Sequence, residues 1–174
     1  MTKNRLIHLL KINLCFFPLG LLFFLSSCNP KQNLTDKPSS TQPENYPFKK
    51  QGSLIFYSAN RDSITQIYIE IAETEEKQQM GLMFRTAIAE SDGMLFIFPD
   101  QEPRNFWMKN TVLSLDMIFV NSQNEIVKIQ SNTEPMTEDL YPSQKPSQFV
   151  VEVNAGFTER FQIQEGGQIQ FRKN

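Results

Sequence analysis

A mainly β fold, a compact antiparallel β-barrel or sandwich with one or two short helices, is predicted by three observations. Short runs of β-branched and aromatic residues recur between Leu54 and Phe171, turn signals separate them, and helical periodicity is scarce. Leu54 to Tyr57 is apolar and suited to pair with the next run, in which Ile67, Ile69 and Ile71 alternate with Gln66, Tyr68 and Glu70. That alternation marks a half-buried strand. Met94-Leu95-Phe96-Ile97-Phe98 is a continuous apolar run bounded by Gly93 and Pro99, as in a central strand. Leu115 to Val120 is another. Ser122-Gln123-Asn124 then reads as a hairpin turn into Glu125 to Gln130. Phe149 to Val153 is a fifth strong strand, and Gly166-Gly167 turns the chain into a last one over Gln168 to Arg172.

Two short helices are expected. Thr74 suits an N-cap, with Glu75 and Glu76 in the first turn, where the helix dipole favours acids, and Gly81 suits the C-terminal cap. Asn154 is the expected cap of a second helix reaching about Phe161. The stretch between Asn132 and Gln144 holds Pro135 and Pro142 and has no period, so it reads as a long loop of the kind that covers or forms a site.

The N-terminus carries a different message. Lys3, Arg5 and Lys11 precede an apolar run from Ile12 to Leu25, and no acidic residue stands before Cys28. The run is 14 residues, short of the ~20 needed to span a bilayer and right for a signal peptide. Leu25-Ser26-Ser27-Cys28 is a lipobox. Residues 1–27 are therefore expected to be a lipoprotein signal peptide, with Cys28 lipidated and anchored to a membrane. Asn29 after Cys28, where no aspartate stands, favours the outer membrane, with the domain in the periplasm or on the cell surface. Residues 28–51 are polar and Pro-rich and read as a disordered tether, although Tyr46 and Phe48 offer a docking point for its last residues. Residues 52–174 form one β-rich domain of a usual size for a single core.

Loss of residues 1–27 leaves 147 residues with 14 basic and 19 acidic side chains, a net charge of −5. It also removes His8 and Cys15, so the folded part has no histidine and no free cysteine. A Cys/His zinc site, Ser-His-Asp or Cys-His catalysis and His-ligated haem are excluded by composition. No cofactor and no metal site is expected. An acidic chain without a basic run also argues against nucleic acid.

The most distinctive segment is Phe106-Trp107-Met108-Lys109-Asn110-Thr111, followed by Leu115-Asp116. Together with Met80-Gly81-Leu82-Met83-Phe84-Arg85, Gly93 to Phe98, Leu115 to Val120 and Glu152 to Gly156, it resembles the bacterial and archaeal family called domain of unknown function 192. The resemblance covers about Ile67 to Phe171. Leu113 departs from the pattern, standing where relatives more often have proline. The resemblance implies a compact, mainly β domain, often exported or lipid-anchored. It implies no activity and supplies no catalytic residues.

The candidate polar cluster is Arg85, Trp107, Lys109, Asn110, Thr111, Asp116 and Glu152. Lys109, Asn110 and Thr111 supply a cation, an amide and a hydroxyl beside an indole, a set able to grip a small polar ligand or an envelope glycan. Asn110 and Thr111 are equally good turn-formers, and Trp107 and Met108 equally good core. Arg85 and Asp116 could form a structural ion pair. Asp116 and Glu152 both interrupt apolar strands, and a carboxylate pair there, helped by Lys109, could serve a hydrolase. The six methionines of the domain sit among Leu, Phe and Ile and read as core. The expectation is a non-catalytic binding module, its ligand held between the Trp107–Thr111 segment and the 132–144 loop. An envelope hydrolase and a structural or partner-binding module are the alternatives.

Overall fold

The computed structural model describes residues 46–174. The expected signal peptide, the lipidation site Cys28 and the tether up to residue 45 lie outside the described residues.

Among the described residues seven strands make one sheet: β1 (Gly52–Tyr57), β2 (Ser63–Ala72), β3 (Asp92–Phe106), β4 (Leu115–Val120), β5 (Ile126–Gln130), β6 (Tyr141–Asn154) and β7 (Gln168–Lys173). Their spatial order is β5-β4-β6-β3-β2-β1-β7. The sheet curls until its two outer strands meet. Glu125 bridges Gln168, the Ile126 amide donates to the Gly167 carbonyl at 2.8 Å, and the Ile169 amide donates to the Asn124 carbonyl at 2.9 Å. Edge groups that would otherwise stand open are satisfied at this seam.

All strand pairs are antiparallel except one. β2 and β3 run parallel, with Ile69 beside Gly93 and Ile71 beside Leu95. The expected mainly β, largely antiparallel fold with two short helices stands, and this parallel pair is the departure within it. A parallel pair cannot be closed by a hairpin and needs a crossover of a dozen or more residues. The chain between β2 and β3 supplies it and carries α1 (Glu75–Met80). α1 is capped as its sequence requires: Thr74 Oγ1 accepts from the Lys77 amide at 3.3 Å, and Gly81, at φ 48°, donates its amide to the Lys77 carbonyl. The second helix, α2 (Phe157–Arg160), is not capped by Asn154. Gly156 holds the N-cap position in the left-handed region, and the Asn154 amide instead donates to the carbonyls of Ile88 and Ala89.

β3 and β6 run further than their apolar centres suggest. Glu102 pairs with Ser147, Pro103 with Pro146 and Phe106 with Tyr141, beyond an irregularity after Ile97. β2 pairs with β3 only as far as Phe96, so the outer part of β3 has one free edge. Proline is tolerated in such a strand because its missing N–H removes no ladder bond. Tyr141 to Gln144 therefore belongs to β6 and not to the expected loop. Before β1, the Gln51 amide donates to the Ile69 carbonyl, and Gln51 Oε1 accepts from the Ile71 amide at 2.9 Å, so the end of the expected tether lies along β2.

Both faces of the central strands are buried. Leu54, Phe56, Ile69, Leu95, Ile118, Val151 and Val153 pack with Phe157 of α2 on one face. Met94, Phe96, Leu115, Met117, Phe119 and Val150 pack with Leu82 and Met108 on the other. Successive strand residues point to opposite faces, so each core takes alternate residues of the same strands.

Candidate functional site

The sheet places the two carboxylates of the sequence reading on opposite faces. Met117 sits directly opposite Glu152 in the β4–β6 ladder and shares its face. Asp116, next to Met117, points to the other side. No carboxylate pair forms, and the arrangement a two-carboxylate hydrolase needs is not built.

Asp116 is fully buried and fully satisfied. Its Oδ1 accepts from the amides of Asn132 (2.8 Å) and Gly156 (3.2 Å), and its Oδ2 from the amide and hydroxyl of Thr158 (2.9 and 2.7 Å). It therefore caps α2 and ties the segment after β5 to it, the work expected of Asn154. It does not pair with Arg85, as the sequence suggested. Arg85, buried, places Nη1 2.8 Å from Glu70 Oε2, a charge contact out of line for a hydrogen bond. Glu70 lies on β2 beside Met94 and is the nearer partner in the fold.

Glu152 has no such partner. It stands in a cross-strand row with Met94 on β3 and Met117 on β4, and only 5 % of its surface is exposed. Among the described residues its Oε2 is buried without a hydrogen bond. Burial pushes its carboxyl up from the ordinary 4.5 to about 8, so it is mostly protonated at neutral pH. A buried polar atom left unpaired costs on the order of 1–3 kcal/mol.

Glu152 belongs to the wall of a pocket of about 650 Å³ between α1 and its C-terminal turn, β3 and the segment after β3. The volume is in the range of small-molecule sites. Glu152 and Thr111 belong to its lining, as do the rings of Phe96, Phe98, Phe106 and Trp107 and the side chains of Met80, Leu82 and Met83. Phe106 is wedged edge-on against Phe96 (5.1 Å between centroids), Phe98 (6.4 Å) and Phe119 (5.7 Å). Gly81 lets the turn come close: a Cβ there would sit 3.3 Å from the Phe96 ring and 3.8 Å from Glu152 Oε2.

The remaining residues of the expected cluster divide. Trp107 is 46 % exposed at the pocket rim, whereas Met108 is fully buried. Lys109 leaves the pocket, meeting Glu138 at 3.1 Å and lying 5.3 Å from the Trp107 ring. Asn110 is a turn residue at φ 56°, its carbonyl accepting from the Phe84 amide at 2.8 Å. The 132–144 loop does not face the pocket. It packs behind the Trp107–Thr111 segment, with the Met136 amide donating to the Thr111 carbonyl and the Met108 amide to the Thr137 carbonyl. The aromatic walls were not singled out in the sequence, although the Met94-Phe96-Phe98 alternation places them on the face of Glu152.

A curled seven-stranded sheet with a helical crossover and an aromatic pocket bearing the buried Glu152 defines the class of domain. The chain belongs to the family described as DUF192, an uncharacterized group, whose profile matches residues 57–171. Among curated proteins none matches. Among solved structures, it is similar to a candidate transcription regulator from Sinorhizobium meliloti 1021, with 31 % identity, a TM-score of 0.67, and coverage of 72 % of this chain and 98 % of the other. It is also similar to a protein of unknown function from Novosphingobium aromaticivorans DSM 12444, with 31 % identity, a TM-score of 0.64, and coverage of 68 % and 83 %.

Proposed function

We propose that this chain is a lipid-tethered binding module of the cell envelope, anchored through Cys28 and holding a small molecule in the pocket above Glu152. The observation that carries the proposal is the Glu152 carboxyl, buried and without a hydrogen-bond partner on the wall of an apolar cavity of ligand size. Buried polar groups are normally satisfied, and a bound molecule that donates to Oε2 would satisfy this one. The lining favours an apolar body with one polar group over the polar ligand or glycan expected from Lys109, Asn110 and Thr111. Exposed apolar side chains around the mouth support this. Met80 and Trp107 stand on the rim, 41 % and 46 % exposed.

A non-catalytic role fits the separation of Asp116 from Glu152 and the engagement of Lys109 with Glu138. The description of the Sinorhizobium relative does not carry over by charge, because the mature chain is acidic and the pocket lining holds no Lys or Arg. A partner-binding module would expose its apolar patch without a cleft; here the patch surrounds one.

Trp107 is the only tryptophan in the chain and reports on the pocket directly. The full-length chain, labelled with 5-fluorotryptophan and held in lipid nanodiscs, is titrated with sugars, muropeptides, nucleotides, amino acids, fatty acids, aromatic alcohols and amines. A saturable shift of the single ¹⁹F resonance is expected for at least one class. A folded protein whose resonance ignores the whole panel would refute the binding function.

A further inference from the structure

We propose that the pocket selects an organic ammonium ion, a primary or secondary amine on an aromatic or short aliphatic body. This deepens the binding function proposed above and rests on it. Three observations converge. The first is charge: the lining includes the acids Glu75 and Glu152 and, among the described residues, no Lys, Arg or His. Arg85, the buried cation of this region, is committed to Glu70. The second is the walls. Four aromatic rings line the cavity, and ring faces attract cations, the more so when water is excluded. Two of these rings already attract cations from outside the lining: Arg104 lies 4.1 Å from the centroid of Phe98, and Lys109 5.3 Å from that of Trp107. The third is the Glu152 carboxyl, whose Oε2 has no hydrogen-bond partner among the described residues and, once ionised, accepts from an N–H donor. A primary ammonium has three N–H donors. A quaternary ammonium would meet the rings but leave the oxygen unpaired.

The charge balance is explicit. In the empty pocket burial keeps Glu152 protonated up to about pH 8. When an ammonium enters, the Glu152 proton passes to water and the carboxylate accepts an N–H from the ligand. One positive charge is bound and one proton released, so the net charge of the site is unchanged. The charged groups able to modulate this include Arg104 and Lys109, over the Phe98 and Trp107 rings. α1 presents Glu75, the turn after it and β2 hold the Arg85–Glu70 pair, and β3 and β4 place the neutral Met94 and Met117 beside Glu152.

The test is calorimetry on the full-length chain in nanodiscs, with empty nanodiscs subtracted, using 2-phenylethylamine and its neutral counterpart 2-phenylethanol. The amine is expected to bind at least about tenfold tighter than the alcohol at pH 8. Its affinity should rise by up to about tenfold per pH unit between pH 6 and 7.5, as linkage to one released proton requires. Buffers of different ionisation enthalpy should report that proton. Glu152→Gln should lose both the preference for the amine and the pH dependence. Trp107→Ala, a rim substitution clear of the core, should weaken the amine and keeps the test valid if Glu152→Gln folds poorly. Alcohol binding as tight as the amine, or an amine affinity independent of pH, would overturn the ligand class. So would silence from both probes. If the broad ¹⁹F panel still finds a ligand, only the class is lost; if it finds none, the binding function falls with it.

Discussion

Glu152 makes the stability of the domain depend on pH in the direction opposite to an ordinary paired carboxylate. In the unfolded chain it loses its proton near 4.5; in the fold it keeps it to about 8 because burial penalises the charge. Between those values the native state binds one more proton than the unfolded state, so stability falls as pH rises, by about 1.4 kcal/mol per pH unit. The loss is absent below pH 4.5, reaches about 3 kcal/mol at pH 7 and levels off near 5 kcal/mol above pH 8. Set against typical net stabilities of about 5–15 kcal/mol, this is a large share. Glu152→Gln keeps the shape and removes the titration. Urea unfolding of wild type and variant from pH 4 to 9, read as ΔG by linear extrapolation, should show the variant gaining on the wild type through this window. Taking the difference cancels the other carboxylates, including Glu73, whose carboxyl is lowered by its hydrogen bond to Lys173. Parallel profiles, within about 1 kcal/mol across the range, would refute a buried and unpaired Glu152.

Asp116→Ala strands the backbone amides of Asn132, Gly156 and Thr158 and the buried Thr158 hydroxyl and should cost about 3–5 kcal/mol in urea unfolding, with α2 loosening first by amide exchange. Glu70→Ala leaves the Arg85 guanidinium buried without its counter-charge and should destabilise by about 3 kcal/mol, partly restored by Arg85→Met in the same chain. Thr74→Ala removes the α1 cap and should cost about 1 kcal/mol in the same measurement. Cys28→Ser should move the protein from the membrane to the soluble fraction of fractionated cells, because stable anchoring needs the acyl chains; unchanged membrane association would count against lipid anchoring there.

Much of the fold was legible because it rests on local chemistry. The Ile67-Ile69-Ile71 alternation, the apolar centres of β3, β4 and β6, the Thr74 cap and the Gly81 stop each declare themselves within a few residues. What was not legible depends on register. Nothing local says that Met117 lies opposite Glu152, and that single pairing separates Asp116 from Glu152. Nor could the sequence say that Asp116 would take the helix-capping work from Asn154, since the residues it joins are 16 to 42 positions away. The parallel β2–β3 pair was hidden because half-buried strands alternate alike in either direction, and the outer parts of β3 and β6 were hidden by prolines that a single free edge tolerates. The Trp107–Thr111 segment drew attention for its polar residues, yet its contribution to the pocket is the exposed indole and the buried Thr111. The Phe96-Phe98 pair, read simply as part of a central strand, supplies part of the wall.

The most direct test of the central claim is a pair of thermal melts, full-length wild type and Glu152→Gln, run side by side against the same compound panel at pH 7.5. A ligand at about 100 times its dissociation constant adds about 2.7 kcal/mol of stability, which for a domain of this size raises Tm by about 8 °C. At least one compound should raise wild type by that amount and the variant by far less. A folded wild type that no compound moves, or hits that move both proteins equally, would contradict a ligand pocket built on Glu152.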